Sequence, residues 1–253
     1  MDTLWIFGGA VCAGLLAGFL GLGGGVLIVP ALALFGDISM KQAAGISLTA
    51  SIATSMASST VFIKKHLCDL DLGLKLALTA TAGGLSGGIL STYVSNAHLA
   101  FIFAAFILYS GISLAFKKDH DLPPVETYAR HKLALFLFVA YIAGLLSGLL
   151  GVGGGIIFVP LMFLGLKFPI QRATGTSAFV VGLTATGGAV IYFLRGELDN
   201  TLDIVPAVVM GMIAGGKLGG ILGVKTKSRI VRLVFAGLLF FMCYRMVKLG
   251  MAG

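Results

Sequence analysis

Residues 14–30 read GLLAGFLGLGGGVLIVP and residues 144–160 read GLLSGLLGVGGGIIFVP, one pattern written twice at an offset of 130. The register continues into Ala43-Ala44-Gly45-Ile46-Ser47, which stands against Ala173-Thr174-Gly175-Thr176-Ser177. Further on, AGGLSGGIL from Ala82 is matched by AGGKLGGIL from Ala214 at an offset of 132. Three ordered matches at nearly one spacing make this a chain of two related halves. The polar stretch KKDHDLPPVETYARHK between them carries Pro123-Pro124, which stops any helix. The expected organisation is therefore 1–117, a linker over 118–131, and 132–253.

The medium these halves fold in follows from their apolar content. Hydrophobic residues make up 58% and charged residues 11% of the chain, and the mean hydropathy is +1.03. A soluble domain needs roughly a quarter of its residues charged to cover its surface. A bilayer span needs about 20 mostly apolar residues. Each half divides into five apolar segments, roughly 3–21, 24–36, 40–64, 71–93 and 98–117, then 132–151, 154–166, 170–194, 202–224 and 228–249. The chain reads as an all-α polytopic membrane protein, with the lipid bilayer as its first partner. The net charge of +8 lies mostly in short loops, where it orients a membrane protein and does not recruit nucleic acid. Cys12, Cys68 and Cys243 are scattered along the chain with no metal-type spacing, so neither a disulfide framework nor a zinc site is indicated. The first segment lacks a basic leader and belongs to the repeat, so it reads as a retained helix.

The second segment of each half is too short to span alone. It follows a glycine triple, Gly23-Gly24-Gly25 or Gly153-Gly154-Gly155, and contains Pro30 or Pro160. Glycine runs break helices through backbone freedom. A break in lipid leaves N–H and C=O groups that only buried protein or a water-filled cavity can satisfy. Each half is thus expected to hold a short or re-entrant helix that meets its counterpart near the membrane centre. If the first two segments return the chain to its starting side, three crossings remain per half and the two repeats are inverted. One side then collects Lys64, Lys65, Lys117, Lys118, Arg130, Lys132, Lys167, Arg172, Lys225, Lys227 and Arg229. The other side holds Asp37 with Lys41, the turn at Asn96 and the loop from Arg195 to Asp203. The more basic side is cytoplasmic by the positive-inside rule, which puts both termini outside.

The duplicated G-x-L-G-x-G-G-G pattern ending in V-P, with A-x-G-x-S about 15 residues later, resembles the TauE/SafE family of sulfite exporters and 4-toluene sulfonate uptake permeases. The resemblance runs over nearly the whole chain. It implies a cell-membrane transporter of sulfur-containing anions such as sulfite, sulfonates or related organic acids.

The residues supply their own reasons for an anion. A helix starting just past each glycine triple presents free N–H groups and about half an elementary positive charge. Two such termini related by a pseudo-twofold axis would hold an anion without a buried Lys or Arg. Candidate substrate ligands are Gly23, Gly24, Gly25, Gly153, Gly154 and Gly155, with the hydroxyls of Ser47, Thr49, Thr174, Thr176 and Ser177. Against these stands the simpler role of a helical hydroxyl, bonding to the carbonyl one turn back. Lys217, inside an apolar segment, either contacts the anion or snorkels to the interface. The remaining glycines, Gly83, Gly84, Gly87 and Gly88 among them, suit close helix packing.

No Asp or Glu falls well inside a segment, so no carboxylate offers a proton relay or sodium site. No cofactor or metal site is indicated, and no nucleophile–base pair supports an enzyme. The glycine motif lacks the strand and the Lys-Ser/Thr of a phosphate loop. The expected function is secondary transport, with export the favoured direction, of a small sulfur-containing anion by alternating access. The alternatives are an anion channel or facilitator and, less favoured, a non-transporting membrane subunit or an enzyme. Association into a homo-oligomer stays open.

Overall fold

The computed structural model describes residues 3–35, 38–95, 130–201 and 203–226, with isolated positions at 98, 105, 108, 230, 233, 237, 240, 241 and 244. Most of the fifth segment of each half and most of the linker, along with Cys243, lie outside the described residues. Within them the chain forms α1 (Thr3–Leu20), α2 (Gly25–Phe35), α3 (Met40–Lys64) and α4 (Leu70–Leu90). The second half gives α5 (Arg130–Leu150), α6 (Gly155–Pro160), α7 (Ile170–Leu194) and α8 (Val205–Lys225). A π-helical turn, Leu161–Gly165, extends α6 past Pro160, and a 3-10 turn, Asp199–Thr201, precedes α8. Among the described residues four helical stretches are long and apolar enough to cross a bilayer: Met40–Lys64, Leu133–Leu150, Ile170–Leu194 and Val205–Lys225.

Glycine decides which helices pair. Gly14 and Gly18 on α1 face Met212 and Gly216 on α8, and a Cβ at either glycine would run into the opposing backbone. Gly144 and Gly148 on α5 meet Ala80 and Gly84 on α4 in the same way. These are four-residue small-residue spacings that let two backbones touch, the mode of association helices use in lipid. The second half's first helix therefore packs on the first half's fourth, and the reverse. Each half is completed by the other.

The same contacts set the helix directions. Along α1 and α8 the contacting positions rise together, from Val11 with Gly215 to Phe19 with Gly219, so these helices are parallel. Along α3 and α7 they run oppositely: Gly45 meets Tyr192, Leu48 meets Gly188, Ser55 meets Gly182 and Phe62 meets Gly175. The equivalent helices α3 and α7 are thus antiparallel. At one end of the bundle Asp69, at the start of α4, pairs with Arg172, at the start of α7, and Gln171 bonds the Thr226 carbonyl just past α8. At the other end Lys41 reaches the Thr92 carbonyl and Arg195 reaches the Gly88 carbonyl. Capping holds the ends: Ser39 and Gln42 form a capping box on α3, and the Asp69 carboxylate accepts from Leu72 N–H on α4.

Candidate functional site at the crossing of the two helix breaks

Each helix break is a run of left-handed backbone. Gly21, Gly23 and Gly24 have φ of +70°, +82° and +112°, and Gly151, Gly153 and Gly154 have +76°, +80° and +84°. Only glycine adopts such angles cheaply in succession. The chain uses them to leave α1, or α5, and restart at the centre of the bundle.

The two breaks hold each other. The first residue of α2, Gly25, lies against the backbone of Gly151 and Val152, and the first residue of α6, Gly155, lies against Gly21 and Leu22. Ser47 on α3 donates to the Gly151 carbonyl at 2.7 Å, and Ser177 on α7 donates to the Gly21 carbonyl at 2.8 Å. Each half's serine satisfies a carbonyl stranded by the other half's break. Both serines are fully buried, and a carbonyl left unpaired there would cost about 1–3 kcal/mol.

The structure divides the candidate residues into groups. Gly23 and Gly153 face one centre, where the Val181 side chain stands against both. Gly24 lies beside Met212 and Ala17, and Gly154 beside Phe158. Thr174 packs its carbonyl and methyl on Gly21, with its own hydroxyl buried and unpartnered. Thr176 turns the other way, accepting from the Asp69 N–H at 2.9 Å near the end of the bundle. Thr49 bonds back to the Gly45 carbonyl at 3.0 Å. It sits two residues from Ser47, which is about 200° round the helix and so on the far face. Lys217 is exposed on the outer face of α8, with Leu218 and Ile221, while Gly215, Gly216, Gly219 and Gly220 face inward. The snorkelling role fits that position, and Lys217 does not join the centre.

Sequence reasoning missed three positions here, Ser51, Ser55 and Ser147. Among the described residues the buried side-chain hydroxyls without a partner are Ser51, Ser55, Ser147 and Thr174. All four border a break. Ser147 lines a small cavity with Gly154, Leu150 and Ile157, holding about 10 Å³ of free space, the room one water needs. Beside Gly24 in the first break, the Met212 side chain fills the space. Ser51, Ser55 and Val181 converge between Gly23 and Gly153. The signal available was the spacing Ser47, Ser51, Ser55, which repeats at one turn along a single face of α3.

Near the Asp69–Arg172 pair, Arg172 also stacks on the Phe168 ring at 4.6 Å. Cys68 lies beside this pair, and burial pushes its thiol up to about 11, the Thr176 hydroxyl only partly offsetting this. Among the described residues no three His, Cys, Asp or Glu side chains come together as a metal site.

The family described as "Sulfite exporter TauE/SafE" matches residues 6–246. Among similar chains is the "Probable membrane transporter protein YunE" of Bacillus subtilis, 29% identical, covering 88% of this chain and 89% of its own. A "Probable membrane transporter protein" of Methanocaldococcus jannaschii is 26% identical over 89% of this chain and 88% of its own. Another from Bacillus subtilis, YdhB, is 28% identical over 81% and 84%. No solved structure matches.

Proposed function

The chain belongs to the sulfite exporter TauE/SafE family of multi-pass membrane proteins, and from that premise we propose that it exports a small sulfur-containing anion such as sulfite or an organosulfonate. Relatives and family are named for transport and not for catalysis, in line with a chain that is no enzyme. The single observation that carries the reading is the reciprocal pair of breaks. Ser47 with Gly151, and Ser177 with Gly21, tie two discontinuous helices into one buried centre. Transporters built from inverted repeats seat substrate between such broken helices.

Alternating access is the mechanism we propose. Equivalent helices run in opposite directions, as α3 and α7 do, which is the relation an axis in the membrane plane produces. Rocking one half against the other then opens the same centre to either face. The Asp69–Arg172 pair, 2.8 Å apart, joins the start of α4 to the start of α7 at one end only. At the position equivalent to Arg172 the first half has Gln42, engaged in the α3 cap. That pair suits a latch which opens when the halves part. Val181 packed between Gly23 and Gly153 favours a carrier over a channel, because a pore needs that gap open. The basic end of the bundle, taken as cytoplasmic, concentrates anions for outward passage.

Thermal-shift screening of the purified protein tests the substrate class. Sulfite, thiosulfate or taurine is expected to raise the melting temperature, by an amount that grows with the logarithm of ligand concentration above Kd. Chloride is expected to do so weakly, since converging donors match several oxygens better than one spherical ion. A shift from chloride equal to that from sulfite contradicts the reading.

A further inference from the structure

Ser51 and Ser55 stand one and two turns past Ser47 on α3, are 0% and 1% exposed, and their hydroxyls make no hydrogen bond. A helical hydroxyl ordinarily returns to a carbonyl three or four residues back. The neighbours on α3 do this: Thr54 bonds Ala50, Ser58 bonds Ser55 and Ser59 bonds Met56. Ser51 and Ser55 point at the breaks instead. A Cβ built on Gly23 would stand 3.1 Å from Ser55 Oγ, and one built on Gly153 would stand 3.6 Å from Ser51 Oγ. Burying a hydroxyl with its hydrogen bond unmade is unfavourable, so its retention calls for a partner that comes and goes.

The repeat separates this pair from the structural serines. Ser47 recurs as Ser177, each holding the other half's carbonyl. At the same offset, Ser51 and Ser55 recur as Val181 and Ala185. A polar pair present in one half alone serves no symmetric structural need. The wall opposite is apolar, because Val181 Cγ1 faces both Gly23 and Gly153.

We propose that Ser51 and Ser55 form a one-sided anion subsite: their hydroxyls donate to the oxygens of a small organic anion whose non-polar end lies against Val181. The proposal rests on the transport reading above and adds which half carries the polar contacts and what shape of ligand they select. Val181 fills the centre in this structure, so occupancy requires the halves to part around it.

The test uses the full chain, purified and in proteoliposomes, with methanesulfonate and sulfite as probes. Ser51→Ala and Ser55→Ala are each expected to keep the ligand-free melting temperature, since no hydrogen bond is lost. Each is expected to weaken methanesulfonate binding about tenfold, the scale of one hydrogen bond to a charged group. Ser59→Ala, whose hydroxyl is bonded within its own helix, is expected to match wild type. Val181→Thr exchanges a methyl for a hydroxyl at constant size and is expected to shift preference several-fold toward sulfite. If wild type binds and both serine variants bind equally well, the subsite is wrong and the transport reading stands. A lower melting temperature with unchanged affinity assigns the serines a structural role and also overturns the subsite. If wild type binds neither probe, the transport reading falls and takes the subsite with it.

Discussion

Ser47 and Ser177 carry a structural task that their position in the repeat could suggest but not define. Each hydroxyl is committed to a carbonyl across the interface between halves, at 2.7 and 2.8 Å. Ser47→Ala is therefore expected to lower stability by about 1–3 kcal/mol, the cost of orphaning a buried acceptor, read as a fall in detergent melting temperature. Unchanged stability with a selective loss of affinity would return Ser47 to the ligand-contact role expected from sequence alone. A second residue-level expectation concerns Cys68. Its thiol is shifted by burial from 9.0 to about 11, so the thiolate is disfavoured in the folded protein. Iodoacetamide, which reacts with the thiolate, is expected to label Cys68 slowly at pH 8 and quickly only after unfolding or near pH 11. Rapid labelling of the folded protein at pH 8 would contradict the burial. At this scale the sequence spoke clearly where the repeat doubled a residue. It was silent where a residue occurs once: the direction of Ser51 and Ser55 depends on how α3 rotates against α7, which no local pattern states.

Among the elements, α3 and α7 span Met40–Lys64 and Ile170–Leu194, the same bounds that apolar length sets in the sequence. The short second segments were also legible, because a glycine triple is a strong local signal. What lies after Pro160 was not: the π-helical turn Leu161–Gly165 accommodates a proline inside a buried helix, and its form depends on tertiary packing. The break itself makes the strongest prediction at this scale. Gly24 and Gly154 hold φ of +112° and +84°, where a β-branched residue is strained, and Met212 or Phe158 already occupies the space. Gly24→Val or Gly154→Val is expected to abolish transport while the protein still inserts, measured by flux alongside membrane yield. Normal flux in both variants would mean that the breaks are not the site. At the other level of energy, Asp69→Ala removes an N-cap and one ion pair. It is expected to cost about 1–2 kcal/mol, mostly through the cap, with the part-exposed pair contributing less.

For the whole molecule, the first and fourth helices pack across the two halves and α3 runs antiparallel to α7, which gives the bundle two distinct ends. Pairing of first and fourth helices across the halves was out of reach of sequence reading, although the glycines that perform it were visible as a packing stripe. The end carrying Lys64, Arg172 and Lys225 and the end carrying Lys41, Arg195 and Asp203 should face opposite sides of the bilayer. In a background without native cysteines, Lys65→Cys and Glu197→Cys are expected to react with a membrane-impermeant thiol reagent from opposite sides. Labelling of both from one side would remove the inverted arrangement. The central claim is that the buried crossing of the two breaks carries an anion alternately to each face, and trans-stimulated exchange in proteoliposomes tests it most directly. Vesicles preloaded with unlabelled sulfite should take up labelled sulfite faster than empty ones, saturably, in wild type and not in Gly154→Val. Uptake that is linear in concentration, indifferent to internal sulfite, or equal in the glycine variant would contradict the account.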